Sequence, residues 1–295
     1  MSYLIPSDFD RLIQEVSLSQ IISGNSMLRS LAEDAAIEEA KSYLRAKYDV
    51  ASEFTNTSLY SPVAATYAAA NRVYLDAPFY NDKKLYNINS LVLNTGKIYV
   101  CTTPVTVIED FDPAKWTELG PRYSIFYAVY PKPLFNLLST YVKDDEVYWN
   151  GKVYTCLIPT AIQSHDQVIQ YPSISSIPFN NVFPDNATSG AKYWGAGVAY
   201  TIPAGSLLNT TYFKMGDNRN QQIVLYILDM LIYHLYRRIP PAVVPEIRVL
   251  AYQTAISWFN KVAKGDDIIA DIVKIQPPNG GRIRYGSRPK QENHY

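Results

Sequence analysis

Cys101 and Cys156 are the residues of this chain best suited to nucleophilic chemistry, and they occupy matching places in two similar stretches. "NTGKIYVCTT" runs from Asn94 to Thr103 and "WNGKVYTCLI" from Trp149 to Ile158; both read Gly-Lys, an aliphatic residue, Tyr, any residue, Cys. A thiol becomes a nucleophile where a His, a cation or a helix N-terminus favours the thiolate. Cys156 has only Lys152 nearby in the sequence, so it lacks the setting of a catalytic thiol. Equivalent positions in a repeat are not complementary positions for a disulfide, and both cysteines read as buried free thiols.

The remaining candidates for chemistry are sparse. His165, His234 and His294 lie far apart with no second ligand at metal spacing, which suits structural or surface roles. "GAGVAY", Gly195 to Tyr200, has too few glycines for a phosphate cradle and lacks the flanking strand and helix of a dinucleotide site. The acidic pairs Glu38–Glu39 and Asp144–Asp145 fit a solvated face better than acid/base work. The expectation is a chain that is not an enzyme and needs no metal or cofactor.

Length and charge bound the alternatives. The chain has 295 residues, with 27 Lys plus Arg balanced by 27 Asp plus Glu. No global field steers it to nucleic acid or a membrane surface. Twenty-five tyrosines suit interfaces as well as cores. The start, "MSYLIPSDFDRLI", lacks the basic and apolar regions of a signal peptide, so the protein is expected to stay where it is made. "IVLYILDMLIYHLY" is shorter than the ~20 residues of a membrane span and carries Asp229 and His234, which predicts a buried helix and no membrane partner.

These residues need elements to hold them. "SDFDRLIQEV" opens a short amphipathic stretch, with Ser7 and Asp10 in a capping-box-like arrangement. "MLRSLAEDAAIEEAKSYLRAKY" places Leu28, Leu31, Ala32, Ala35, Ala40, Tyr43 and Leu44 on one helical face and leaves Ile37 off it. From about Asp82 to Met215 short apolar alternations are divided by Gly, Pro, Asn and Asp, a β texture. "NRNQQIVLYILDMLIYHLYRRI" is apolar nearly all round and predicts a deeply buried helix, ended by Pro240 and Pro241. A last helix starts at Pro245, faces inward through Ile247, Leu250, Ala251, Ala255, Trp258 and Val262, and stops at Gly265. Beyond it, "IQPPNGGRIRYGSRPKQENHY" predicts an extended arm.

The fold class expected is therefore α+β. A helical core is expected from residues 1–80 and 216–266, with a β-rich region at 81–215 between them and a basic arm at 267–295. Within the β region, two small modules fall at about 83–121 and 137–197. Three surfaces are candidates for function. Ile37, Tyr233 and Tyr236 carry apolar surplus that suits subunit contact or ordinary core packing. Arg282, Arg284, Tyr285, Arg288 and Lys290 form an arm that suits docking on a protein, following phosphates, or simple solvation. Trp149, Tyr154 and Trp194, with Trp116 and Tyr99, suit stacking on sugar rings or packing a small core.

The two ends carry a resemblance. "YLIPSDFDRLIQEV" and "AEDAAIEEAKSYLRAKYDV", with "NRNQQIVLYILDMLIYHLYRRIPPAVVPEIRVLAYQTAISWFNKVAKGD", resemble the halves of the Mu-like head-completion or adaptor proteins, a head-tail connector family of tailed phages. That resemblance implies a helical protomer in a homo-oligomeric ring, usually dodecameric, in the neck of a virion assembled in the host cytoplasm. The ring would sit below the portal protein, meet tail or neck proteins, and surround DNA passing through its channel without sequence-specific binding. It also implies that the arm docks on the portal or on a neighbouring subunit.

The middle has a likeness of its own. "YNINSLVLNTGKIYVCTTPV" with "DPAKWTELG", and "YVKDDEVYWNGKVYTCLIPT" with "AKYWGAG", resemble the small β module appended to chitinases and to phage tail and fibre proteins. Sugar-binding members carry adjacent aromatics after the central strand, where this chain has "TTPV" at Thr102 to Val105 and "LIPT" at Leu157 to Thr160. A spacer or a docking site for a collar or fibre protein is the favoured expectation, and glycan binding or adhesion the alternative.

Overall fold

The computed structural model describes residues 2–13, 20–22, 25–63, 67–136, 139, 141–158, 183–186, 190–238, 244–266, 269 and 272. It is an α+β protein whose chain divides into two compact units, one of residues 1–18 and 54–219, the other of residues 19–53 and 220–295.

The second unit is helical: α2 (Ser26–Leu44), α3 (Val50–Glu53), α5 (Gln221–Arg238) and α6 (Glu246–Lys264). Local chemistry sets the ends. Asn25 Oδ1 accepts the Met27 amide at 3.0 Å, and Asn220 Oδ1 accepts the Ile223 amide at 3.1 Å, each quenching an orphan donor of a first turn. Pro245 precedes α6, and Gly265 stops it at φ 93°, donating to the carbonyls of Lys261 and Val262.

Helix α5 packs on both α2 and α6. Ala32, Ala36 and Ala40 recur every fourth residue of α2 and are fully buried, which lets α2 and α5 approach closely. Eight residues of α5, from Ile223 to Leu235, are buried. The buried faces agree with the periodicity at Ala32, Ala40, Leu44, Ala255 and Val262 and depart from it elsewhere. Ile37 is buried, whereas Leu31 is 45 % exposed; on α6 the core residues are Ala255, Phe259 and Val262, and Ile247 and Leu250 stand 71 % and 55 % exposed.

The first unit is β-rich. Strands β1 (Thr57–Leu59), β2 (Arg72–Tyr74), β6 (Ile125–Ala128) and β10 (Phe213–Met215) form a four-stranded sheet in the order β1-β2-β6-β10. The β1–β2 pair is parallel and the other two are antiparallel. Strand material thus begins well before residue 81, inside the range expected to be helical. Two three-stranded antiparallel sheets complete the unit: β3 (Leu91–Asn94), β4 (Lys97–Cys101) and β5 (Trp116–Pro121), then β7 (Glu146–Trp149), β8 (Lys152–Thr155) and β9 (Val198–Ala199). A short helix α4 (Gly190–Tyr193) precedes Trp194.

Among the described residues 2–13 the N-terminal segment forms α1 (Pro6–Phe9), and its capping acid is Asp8, not Asp10: Asp8 Oδ2 accepts the Ile5 amide at 2.8 Å.

Candidate functional site

The repeat around the cysteines extends further than the matching strands. Equivalent residues form equivalent hydrogen bonds at one constant spacing along the chain, 79 to 134, 86 to 141, 89 to 144 and 101 to 156. Tyr86 and Tyr141 each accept, through the hydroxyl, the amide of the residue five places earlier, Asn81 at 2.8 Å and Asn136 at 2.7 Å. Asn89 and Asp144, both at positive φ, donate amides at 2.8 Å to the carbonyls of Cys101 and Cys156. Phe79 bridges Leu93 as Leu134 bridges Tyr148, and Cys101 pairs with Trp116 as Cys156 does with Trp194. Tyr86 and Tyr141, Trp116 and Trp194, and the Gly-Lys, Tyr and Cys of the central strands are identical in type and were legible as a repeat, whereas the pairs Phe79 and Leu134, and Asn89 and Asp144, are equivalent in backbone geometry and not in residue type.

Both thiols are buried. Each donates to the carbonyl two residues on, Cys101 Sγ to Thr103 and Cys156 Sγ to Ile158, at 3.1 Å in both cases. Burial pushes the Cys101 thiol above its ordinary pKa, partly offset by backbone hydrogen bonds at Val105 and Thr103 and by the charge of Lys115. These are core sulfhydryls holding a strand end to the loop beyond it.

The aromatics that suited sugar stacking form the module cores. In the first module Tyr86, Val92, Cys101, Val105 and Trp116 pack together, joined by Tyr80, Tyr99 and Phe111. Tyr99 and Cys101 therefore share one face of β4, while Ile98 and Leu93 point the other way into the core of the four-stranded sheet. In the second module Trp194 is 1 % exposed and Tyr154 5 %, packed with Phe135, Tyr141 and Cys156. That corrects their place as a glycan surface, since stacking needs an open ring face. Trp149 alone of the three is partly exposed, with Phe183 at 5.1 Å and Phe135 at 5.7 Å.

In the helical unit Ile37 is withdrawn from the candidate interface by its burial. Tyr233 is half-buried and stacks on Tyr252 at 4.1 Å, and Tyr236 is half-buried on the same helix. Tyr252 donates to Glu39 Oε1 at 2.6 Å, and His234 Nε2 lies 3.1 Å from Glu39 Oε2. This ties α2, α5 and α6 together. Burial first, then the Glu39 carboxylate, holds the Tyr252 hydroxyl well above its ordinary pKa, so it remains a donor. An open groove of about 350 Å³ lies along α6, lined by Tyr226, Leu250, Ser257, Trp258 and Lys261 among others.

Arg282, Arg284, Tyr285, Arg288 and Lys290 lie outside the described residues, as do His165 and His294. Among the described residues no group of three or more His, Cys, Asp or Glu is placed to hold a metal ion, and no helix is long and apolar enough to cross a membrane.

No family model, curated protein or solved structure matches the chain.

Proposed function

We propose that the chain is a structural virion protein of a tailed phage, a head-tail connector that forms a ring below the portal and joins capsid to tail. What carries the reading is the composition of the helical unit. Of the stretches that resemble the adaptor family, the first, Tyr3 to Val16, falls in the β-rich unit, whereas those at residues 32–50 and 218–266 lie far apart in the sequence and, but for Asn218 and Arg219, fall in this one helical unit with their helices packed together. Its outward faces keep large aliphatic side chains in solvent, Met27 and Leu31 on α2 and Ile247 and Leu250 on α6, a feature of surfaces that meet other subunits. In this reading residues 54–219 supply a β-rich region with two modules that dock neck, collar or fibre proteins, and the C-terminal arm engages the portal or a neighbouring subunit.

Imaging the purified protein alone and with its portal tests the proposal. A ring seated on the portal is the expected outcome. A chain that stays monomeric and fails to bind the portal ring overturns it.

A further inference from the structure

Resting on the ring reading, we propose that adjacent copies join by seating the outward stripe of α2 in the groove along α6, in parallel orientation. The groove's occupant is thus a second copy of this chain, and the contact is heterologous, as a ring requires.

The two stripes complement each other at three of four positions, and at the fourth Leu31 comes over Thr254. One exposed row on α2 runs Met27, Leu31, Asp34, Glu38, and one on α6 runs Leu250, Thr254, Ser257, Lys261. The intervals are identical, and both helices rise by about 1.5 Å per residue, so a single register aligns all four pairs. Met27 then faces Leu250, and Leu31 lies over the groove beside Tyr226 and Trp258. Asp34 meets the Ser257 hydroxyl, and Glu38 meets Lys261. The antiparallel arrangement would set Met27 against Lys261 and Glu38 against Leu250, losing the ion pair and leaving an aliphatic side chain on an ammonium group and another on a carboxylate.

Two features single out this pair of faces. Met27 at 67 % exposure, Leu31 at 45 % and Leu250 at 55 % are large aliphatic residues that the fold of the unit itself leaves in water. The groove, open to solvent and about 350 Å³ in volume, has room for an aliphatic side chain. Glu38 is engaged within its own helix by Lys41 at 2.8 Å, but the pair is exposed and contributes little, so Glu38 is free to turn to Lys261 of a neighbour.

The test is a charge reversal on the full chain, read as oligomeric state by light scattering across a concentration series, with and without the portal. Glu38→Lys and Lys261→Glu each place like charges at every contact and should raise the concentration for half-association by about tenfold or more. Glu38→Lys combined with Lys261→Glu restores the opposite-charge pair and should return association to near the wild-type midpoint. Recovery in the double variant rules out misfolding as the cause of the single losses. Single reversals without effect, or a double variant as weak as the singles, overturn this pairing of faces while a wild-type ring leaves the connector reading standing. A wild-type chain that is monomeric both alone and with the portal overturns both.

Discussion

Arg219 and Asp8 meet as a two-pronged ion pair, Nη1 to Oδ2 at 2.7 Å and Nη2 to Oδ1 at 3.1 Å, with both side chains almost wholly out of water. Arg219 also grips Asp217 through Nε and Nη2, and donates to the Tyr3 carbonyl at 2.9 Å. Burial opposes its charge, but the hydrogen bonds and charges of Asp217 and Asp8 outweigh that and hold its pKa above the ordinary value. The pair fastens the first residues of the chain to the segment just before α5. Removing one partner of a buried pair leaves a charge without compensation, so Asp8→Asn should cost about 3 kcal/mol. Asp217→Asn should cost less, because that carboxylate is partly exposed. Urea unfolding followed by tryptophan fluorescence measures both.

The cysteines offer a second check. A sulfhydryl that is buried and hydrogen-bonded to a carbonyl reacts only when the surrounding core opens. Native protein should therefore leave Cys101 and Cys156 unmodified by Ellman's reagent, and unfolding in urea should release both. Rapid reaction of either thiol in the native state would contradict the buried placement.

Much of the helical unit was legible because its signals are local. Pro245 and Gly265 bracket α6 as their backbone preferences require. The buried faces were misread at Leu31, Ile37, Ile247 and Leu250, since periodicity ranks a stripe by its apolarity and cannot tell a core from a surface held for another subunit. The four-stranded sheet escaped notice for a different reason. Its strands β1, β2 and β10 have three residues each, too few for an alternation, and its pairs join distant positions such as Phe213 with Ala128. Among the glycan candidates Tyr154 and Trp194 failed on burial, which residue type does not report: an aromatic ring suits a core as well as a sugar.

Alkaline pH should weaken the β-rich unit through Tyr60. Its hydroxyl is pushed up to about 12, first by burial and next by the neighbouring Tyr67, with a partial offset from the Leu207 backbone. The folded state thus favours the neutral phenol. The resulting contribution is fully present below the unfolded pKa of 10.0 and is lost as pH rises toward 12. Tyr60→Phe cannot ionise, so its stability should fall less steeply between those values than that of the wild type. Denaturant midpoints at a series of pH values give the comparison.

The hairpin turns provide a test in which the two modules act as mutual controls. Thr95 and Gly96 have φ of 48° and 81°, and Asn150 and Gly151 have 50° and 82°, the paired positive φ of a two-residue type I′ turn. Asn tolerates the first of these positions and a β-branched residue resists it. Thr95→Asn should therefore stabilise the first module by roughly 0.5–1 kcal/mol, and Asn150→Thr should destabilise the second by a similar amount. At Gly96 and Gly151 an added Cβ would meet nothing within 4 Å, so a loss on Gly96→Ala reports backbone strain alone. That loss should be about 1 kcal/mol, read from thermal melts of the single variants. A neutral Thr95→Asn together with a neutral Gly96→Ala would mean that the first hairpin turns by another geometry, and the equivalence of the two modules would then end at their strands.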